Sequence, residues 1–335
     1  MNYCNNSKDN NFIADPSLKI DHVHLKVHDL QKSIDFYQSI LGFRVLENRS
    51  MENIAFLVSQ ELGQDNRSSL LVLNQIDNNN RFTNQSSHIK REAGLYHFAI
   101  LLPERKYLSS FLQHIQNNLD SQYYEGMADH AVSESLYLHD PDSNGIEVYR
   151  DRKISEWVWT SPNKVYMVTE PLDINNLLNH ESYGTWRGFP SKTSIGHVHL
   201  HVSNLPKAKN FYQDLLGLAH TASYPGAYFF AADRYHHHVA TNTWRGTNIL
   251  PNSANIAGKP GLDHFAIRVT DNEKEKNPLK SHLMANGIFI DEKLLYSDLD
   301  LQSSFYVYDY DKNKNTVYFL VIVLSLYRLQ NYASI

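Results

Sequence analysis

The sequence predicts an α+β protein built from four β-α-β-β-β modules, which are arranged as two tandem halves. Two pairs of similar segments carry most of this prediction. Residues 20–43 (IDHVHLKVHDLQKSIDFYQSILGF) match residues 195–218 (IGHVHLHVSNLPKAKNFYQDLLGL) at 13 of 24 positions. GLYHFAI at 94–100 matches GLDHFAI at 261–267 at six of seven positions. Because both pairs follow the same order along the chain, the two halves are repeats of one plan.

The first module shows the pattern of each element in turn. HVHLKV alternates between apolar and polar residues, as a strand does. In LQKSIDFYQSILGF, Leu30, Ile34, Tyr37 and Leu41 recur at helical spacing, and Gly42 is expected to end the helix. The segments FRVLEN, NIAFLVS and SSLLVLN then predict three short strands.

The other modules repeat this plan. The second begins with a strand over 95–101, continues with a helix near 106–119 and ends in the strands VSESLYLHD and GIEVYRD. The third begins at Ile195 and the fourth at Leu262.

These modules define the predicted domain boundaries. Residues 1–17 form a polar tail, 18–150 the first domain with modules 1 and 2, and 195–325 the second domain with modules 3 and 4. Residues 151–194 link the halves, and their three tryptophans indicate that the linker packs on the protein.

Composition narrows the class of protein. The apolar fraction of 42% and charged fraction of 20% are ordinary for a globular protein, and a net charge of −5 argues against nucleic acid as a partner. A single cysteine, Cys4, excludes a disulfide framework and favours the cytoplasm. The polar start has no secretory signal, and the apolar run over 317–326 is about half of what a bilayer requires, so no membrane association is expected.

A third, weaker pair of segments closes each half: HDPDSNGIEVYRD at 139–151 and YDYDKNKNTVYFL at 308–320. The shared residues are Asp140, Asp142 and Asn144 in the first and Asp309, Asp311 and Asn313 in the second. Glu147, however, is replaced by Thr316. The aspartates are typical of a turn, and the acid follows them too early for an EF-hand calcium loop. The difference between the halves therefore lies in one carboxylate.

The stretch DHAVSESLYLHDPDSNGIE at 129–147 is similar to the signature of the extradiol dioxygenases. The matching residues are His130, Leu136, Tyr137, Pro141 and Glu147. With four modules in tandem, the chain resembles the vicinal oxygen chelate superfamily, which includes glyoxalase I and the type I extradiol dioxygenases such as the catechol 2,3-dioxygenases. The resemblance covers roughly 18–150 and 195–320. Ala128 and Ser143 depart from the signature at positions that supply no chemistry.

The resemblance implies a metal held between two facing modules. Extradiol enzymes bind Fe(II), with Mn(II) as the alternative, through two histidines and one glutamate, which leaves positions for a diol and O2. The implied ligands are His97, Glu147 and His197, so that modules 2 and 3 share the cleft. His22 is the alternative third ligand, should modules 1 and 2 pair instead. His264 in the fourth module lacks the acid and is expected to be structural.

The same resemblance implies three catalytic residues: His130, Tyr137 and His237. The segment RYHHHVATNTW is expected to be the last strand of the third module and to supply His237 in preference to His236. Candidates for the cleft wall are Tyr235 and Trp244.

The implied function is that of an extradiol dioxygenase which opens catechol-type diols with O2 to a semialdehyde, in aromatic-compound catabolism. Its partners are a small aromatic diol and O2, and we expect a homo-oligomer. Two alternatives share the fold. A glyoxalase-like isomerase or lyase would need a second carboxylate in the cleft, and a non-catalytic binding or resistance protein would need no metal ligands. Fold alone does not decide among these functions.

Overall fold

The computed structural model of the 335-residue chain describes residues 12–59, 69–76, 91–180, 184–247, 249–252, 259–269, 278–292 and 304–319. Within these ranges the chain forms seventeen strands. In chain order they are β1 (Lys19–Val27), β2 (Arg44–Arg49), β3 (Ile54–Val58), β4 (Leu71–Gln75), β5 (Gly94–Leu102), β6 (Tyr124–Asp129), β7 (Ser133–His139), β8 (Gly145–Asp151), β9 (Trp159–Ser161), β10 (Lys164–Val165), β11 (Ser194–His201), β12 (Ala219–Tyr224), β13 (Ala227–Ala231), β14 (Val239–Asn242), β15 (Gly261–Val269), β16 (Ser304–Tyr308) and β17 (Lys314–Phe319).

Two large sheets are each built from two modules. Modules 2 and 3 form an eight-stranded sheet in the order β12-β13-β14-β11-β5-β8-β7-β6. Modules 1 and 4 form a seven-stranded sheet in the order β16-β17-β15-β1-β4-β3-β2. Strands β9 and β10 pair as a small hairpin in the linker. Each half of the sequence thus contributes one module to each sheet, which is the pairing that the sequence favoured.

Five α-helices connect the strands: α1 (Leu30–Phe36), α2 (Arg105–Asn118), α3 (Ile174–His180), α4 (Leu205–Lys209) and α5 (Pro278–Ala285). The side chain of Asp29 caps α1 by accepting a hydrogen bond from the Lys32 amide. A π-helical turn, Tyr37–Leu41, continues α1 and ends at Gly42, whose φ of 85° is left-handed. A Cβ atom at Gly42 would lie 2.3 Å from Cα of Gly188, so glycine is required there. Within the described ranges, no helix combines the length and apolar character needed to cross a membrane.

One apolar core joins both sheets, the helices and the linker. Its largest fully buried side chains include Tyr37, Phe43, Phe98, Phe111, Tyr149, Phe189, Tyr212, Phe230, Phe265 and Phe305. The linker contributes Phe189, whose ring lies 4.7 Å from that of Phe43, and Trp186, whose ring lies 5.0 Å from that of Phe111. Both contacts are with the first half, whereas the ring of Trp157 lies 5.3 Å from that of His236 in the second half. The linker residues described therefore pack against both halves, in line with the tryptophan-rich composition.

The shared aspartates of the third segment pair anchor a helix to a turn in each half. Asp140 accepts hydrogen bonds from the amides of Asp142 and Asn144 through Oδ1, and from Tyr37 Oη at 2.9 Å through Oδ2. In the second half, Tyr212 Oη donates to Asp309 Oδ2 at 3.0 Å. The repeated aspartates are thus structural, which explains why both halves retain them.

We expect Tyr37→Phe to lower the free energy of unfolding by about 2 kcal/mol, because a buried hydrogen bond to a carboxylate contributes about 1.5–3 kcal/mol. Tyr212→Phe should have a similar effect. Urea denaturation of the purified variants measures the change. Tyr310→Phe is the control, because Tyr310 is exposed and donates to Asn210 at the surface; it should change stability by less than about 0.5 kcal/mol. Equal losses in all three variants would contradict the structural role.

One predicted strand begins later than expected. The segment RYHHHVATNTW was expected to be a strand throughout, but β14 begins only at Val239. His236 and His237 lie in the preceding turn, where Asp233 and Arg234 adopt left-handed φ angles of 47° and 50°. The prediction was wrong for His236 and His237, because the left-handed backbone at Asp233 and Arg234 turns the chain and the two histidines precede β14. The tail at 1–11, most of the loop at 77–92 and the apolar end from 320 onward lie outside the described residues.

Candidate metal centre

The register of three neighbouring strands places two histidines and one acid on one face of the eight-stranded sheet. Strand β11 is antiparallel to β5, with His197 opposite Ala99, and β8 is parallel to β5, with Glu147 opposite the same Ala99. His97 precedes Ala99 by two residues, so its side chain points to this face as well. Because Ala99 carries only a methyl group, the space above it is left to the three longer side chains.

The three side chains meet at one carboxylate oxygen. Oε2 of Glu147 lies 3.0 Å from Nε2 of His97 and 2.9 Å from Nε2 of His197. All three residues are buried. The other oxygen, Oε1, accepts a hydrogen bond of 2.6 Å from Oγ of Ser135 on β7. The serine therefore fixes the rotation of the carboxylate and directs its second oxygen at the histidines.

Burial and neighbouring groups act in opposite directions on this carboxylate. Burial raises the pKa of Glu147, but interaction with His197 and hydrogen bonds from both histidines outweigh burial and hold the pKa well below its usual value. Burial lowers the pKa of His197 to about 4, against the opposing effect of Glu147. At neutral pH the centre therefore offers an ionised carboxylate and a neutral imidazole, the protonation states that a metal requires.

The donor set fits a divalent transition metal. Within the described ranges, Glu147 forms ion pairs with histidines only, and no lysine or arginine balances its charge. A buried carboxylate without a cation costs several kcal/mol, which a divalent ion would offset. The ligand atoms of His97, Glu147 and His197 lie within 4.8 Å of one another. Two imidazole nitrogens and one carboxylate oxygen form the triad typical of iron centres that activate oxygen.

The seven-stranded sheet carries a second cluster, which shares one equivalent position with the first, because His264 corresponds to His97. Ligand atoms of His24, Asp263 and His264 also lie within 4.8 Å of one another, and all three residues are buried. His24 is opposite His264 in the sheet, just as His199 is opposite His97 in the other. Geometry alone therefore does not separate the two clusters.

Charge separates them. Asp263 accepts from Nδ1 of His264 at 2.6 Å, and its carboxylate lies 3.1 Å from Nζ of Lys26 and 3.4 Å from Nζ of Lys314. The Lys314 ammonium also lies 3.8 Å from the centre of the Tyr306 ring. A divalent ion at this cluster would have to approach two ammonium groups. The second cluster is therefore neutralised by the protein's own lysines.

A single backbone position explains why Lys314 has no counterpart beside His97, Glu147 and His197. Lys314 pairs with His264 in the register where Gly145 pairs with His97. A Cβ atom at Gly145 would lie 2.1 Å from the carbonyl oxygen of Tyr96, so no side chain fits there. Two residue pairs further along, Thr316 stands opposite Ala266, as Glu147 stands opposite Ala99. The second sheet has thus lost the acid and gained a cation.

A cavity of about 720 Å³ opens above His97, Glu147 and His197. It includes all three catalytic residues expected from the sequence and one of the two expected wall residues, Trp244. The linker closes part of it. The lining includes Tyr96, His130, Tyr137, Val168, His199, Phe229, His237 and Trp244.

His130 and Tyr137 form a hydrogen-bonded pair on the cavity wall. Nδ1 of His130 lies 2.6 Å from the carbonyl oxygen of Val168, which can only accept, so Nδ1 carries a proton. Nε2 of the neutral ring then accepts from Tyr137 Oη, 2.6 Å away. Burial, followed by the charge of Glu147, raises the pKa of Tyr137 well above its usual value, so the phenol stays protonated. The linker thereby orients His130 through the carbonyl group of Val168, and His130 in turn orients Tyr137.

A second chain of contacts orients His237. Nε2 of His236 lies 2.8 Å from Oδ1 of Asp151, so that nitrogen carries the proton. Nδ1 of His236 therefore accepts from Nδ1 of His237, 2.7 Å away. In the neutral ring of His237, Nε2 is left with its lone pair. His237 lines the cavity, and its ring centre lies 4.0 Å from that of His197. The geometry thus presents a proton acceptor beside the metal centre.

Two expectations from the sequence are wrong. His22, the alternative third ligand, lies on β1 of the seven-stranded sheet, where its Nδ1 is 3.0 Å from Oδ2 of Asp21. It cannot share an ion with His97, because module 1 pairs with module 4. Tyr235 does not line the cavity; its hydroxyl is held 2.8 Å from Oδ2 of Asp151.

Sequence reasoning missed Ser135 and Asp151. The alternation of side chains along a strand could have pointed to both. Ser135 precedes Tyr137 by two residues and so lies on the same face of β7, and Asp151 follows Glu147 by four residues and so lies on the same face of β8. The order of neighbouring strands was still needed to see which groups they reach.

Comparison with known proteins gives the family. A sequence model of the Glyoxalase/Bleomycin resistance protein/Dioxygenase superfamily matches residues 19–148 and 194–285. Catechol-2,3-dioxygenase of Bacillus subtilis (strain 168) is 37% identical over 278 residues, which cover 82% of this chain and 90% of that protein. The chain therefore belongs to the Glyoxalase/Bleomycin resistance protein/Dioxygenase superfamily. Within it, the chain is similar to a catechol-2,3-dioxygenase over most of its length.

Solved structures agree on the fold. A dioxygenase candidate from Bacillus subtilis subsp. subtilis str. 168 superposes with a TM-score of 0.58 at 10% identity, covering 92% of this chain and 86% of that one. Glyoxalase I from Zea mays gives a TM-score of 0.51 at 16% identity, covering 90% and 92%. The α+β vicinal oxygen chelate fold and the family predicted from the sequence are both confirmed.

Proposed function

We propose that this protein is an Fe(II)-dependent extradiol dioxygenase, which opens catechol-type ortho-diols with O2 to a ring-opened semialdehyde. The observation that carries the proposal is the meeting of His97, Glu147 and His197 at one point beneath a cavity. The similarity to the Bacillus subtilis catechol-2,3-dioxygenase supports the class of substrate. Mn(II) is the alternative ion, because the same donor set suits both metals.

His97, Glu147 and His197 would hold the metal. Bound Fe(II) supplies a site where diol and O2 meet and where charge can pass from the ring to oxygen. Two of the ligands are neutral nitrogen donors, so the ion would retain net positive charge. Such a charge favours a diol that has lost a proton.

His237 would take up that proton. Its Nε2 presents a lone pair to the cavity, because the contacts with His236 and Asp151 fix its proton on Nδ1. A base within hydrogen-bond reach of the substrate hydroxyl accelerates such a step by about 10²–10⁴. His237 would later return the same proton to the opened ring, so that its protonation state is restored at the end of the cycle.

Tyr137 and His130 would bind the oxygen atoms of the substrate. The proton of the Tyr137 phenol is engaged in the hydrogen bond to His130, so its oxygen is left as a fixed acceptor next to Glu147 for a hydroxyl group of the substrate. It would stabilise negative charge on the substrate by turning that proton from His130 to the substrate oxygen. Both atoms of O2 enter the product, and one carbon–carbon bond of the ring breaks, so the reaction needs no external reductant.

Metal analysis followed by O2 uptake with catechol tests the proposal. We expect about one iron per chain, because only one of the two clusters lacks its own cations, together with O2 consumption and a coloured ring-opened product. His97→Ala should remove both the iron and the activity. The matched control is His264→Ala at the equivalent position of the other sheet, which should retain both.

Undiminished iron and activity in His97→Ala would refute the site. A metal-loaded protein that ignores O2 but isomerises or cleaves another substrate would favour the glyoxalase-like alternative. We also place the protein in the cytoplasm, which the single cysteine of the sequence supports.

A further inference from the structure

His199 is a polar residue on the cavity wall that the mechanism above does not use. It lies two residues beyond His197 on β11, and only 4% of its surface is exposed. Its ring meets the ring of His97 nearly at right angles, with centres 5.0 Å apart, and that of Trp244 at 5.3 Å. A diol bound at the metal centre would therefore extend past this imidazole.

A neighbouring amide determines which nitrogen of His199 carries the proton. Oδ1 of Asn242 accepts from the backbone amide of Trp244 at 3.1 Å and from Nδ1 of His201 at 2.7 Å. This leaves Nδ2 of Asn242, which can only donate, 3.0 Å from Nε2 of His199. Nε2 is therefore an acceptor and the proton of the imidazole is on Nδ1. No group in the described part of the chain accepts a hydrogen bond from that N–H.

We infer that His199 is a specificity-determining residue, whose Nδ1–H selects ortho-diols that carry a hydrogen-bond-accepting substituent on the ring. The inference rests on the proposed function and extends it to the class of substrate. His199 lines the cavity, and its Nδ1 is not among the buried atoms of the described residues that lack a partner. A substrate that covers this N–H without supplying an acceptor leaves the donor unpaired, so a substrate that supplies one is favoured.

The rest of the wall agrees with a substituted ring. Tyr96, Phe229 and Trp244 surround His199, with ring centres 5.0, 5.9 and 5.3 Å from its own. These surfaces favour an apolar or aromatic ligand and offer one fixed polar contact, as small-molecule sites generally do. The cavity of about 720 Å³ also has room beyond a single six-membered ring.

The test compares isosteric substituents that differ in one oxygen atom. The probes are 3-methoxycatechol against 3-ethylcatechol, and 4-methoxycatechol against 4-ethylcatechol. Dissociation constants come from anaerobic titration of the iron-loaded protein, followed by tryptophan fluorescence, and kcat/KM comes from O2 uptake. We expect wild type to prefer methoxy to ethyl by about tenfold at one ring position, the contribution of one neutral hydrogen bond.

Two variants remove the donor in different ways. His199→Leu deletes it. His199→Phe also deletes it but keeps an aromatic ring between Tyr96 and Trp244. Both should bring the methoxy-to-ethyl ratio to about one. His24→Leu changes the equivalent residue of the seven-stranded sheet, and it should keep the wild-type ratio.

The outcomes separate this inference from the function on which it rests. A wild-type ratio near one at both ring positions, or a preference that survives in both variants, would overturn the role of His199 while O2 uptake still supported a dioxygenase. Failure of all four diols to bind would overturn both. If His199→Leu does not fold, His199→Phe decides.

Discussion

Glu147→Gln is expected to abolish metal binding and ring cleavage. The amide has the shape of the carboxylate but carries no charge, so two neutral imidazoles would remain as the only effective ligands. Removing an outer-sphere partner of a metal ligand typically costs 10–100-fold in affinity. Losing the sole anionic ligand should cost more than about 100-fold in affinity and about 1,000-fold in kcat/KM. Metal analysis after dialysis and O2 uptake with catechol measure the two effects.

The control for Glu147→Gln is Glu125→Gln. Glu125 lines the same cavity but is exposed on β6, and it lies outside both clusters of metal-ligating residues found in the described ranges. Its loss should leave the iron content unchanged. Melting temperatures of the metal-free proteins would distinguish a lost ligand from a damaged fold. If Glu147→Gln keeps its iron through dialysis, then another group is the anionic ligand and the proposed centre is wrong.

The two sheets show how a duplicated module can keep its structure and lose its site. Both copies retain the aspartate that binds the helix tyrosine, because that contact joins each helix to its turn. Two of the positions that differ lie beside the candidate metal centre. Glu147 is replaced by Thr316, and Gly145 by Lys314, whose ammonium stabilises the remaining aspartate of the second cluster. One sheet can therefore bind a metal, and the other is a scaffold stabilised by ion pairs.

The fold could be predicted from the sequence because its segments recur. The helix with its glycine stop occurs in modules 1 and 3 and the acidic turn in modules 2 and 4, and each copy supports the same assignment as the other. The candidate ligands followed from the resemblance to the extradiol dioxygenases. His97 lies in the first strand of module 2 and Glu147 in its last strand, and parallel pairing of these strands brings the two together.

The pairing of modules 2 and 3 was expected from the family resemblance and not from any local pattern, because the contact of β5 with β11 joins strands that are far apart in sequence. The side-chain contacts around the site could not be predicted at all. The orientation of His199 depends on Asn242, which lies 43 residues further along the chain. The orientation of His237 depends on Asp151, which acts through His236. The sequence did not reveal the turn that carries His236 and His237, because three consecutive histidines are equally compatible with a strand.

Replacing His237 by phenylalanine is expected to lower kcat for catechol by about 100- to 1,000-fold, which is the usual contribution of a positioned general base. Iron content and anaerobic catechol binding should change little, because His237 contacts the ring of His197 without being a ligand itself. The ring of phenylalanine fills most of the same space. Single-turnover mixing of the anaerobic enzyme–catechol complex with O2 separates slow chemistry from weak binding.

His238→Gln is the matched control for that experiment, since His238 follows directly in the chain, is buried, and uses Nδ1 to accept from the Ala232 amide away from the cavity lining. It should retain kcat even if its melting temperature falls. A His237→Phe enzyme with normal kcat would mean that the substrate loses its proton to another group. Because Tyr137 is held protonated beside Glu147, that group would have to be His130, and the proton would then have to pass through the Tyr137 hydroxyl.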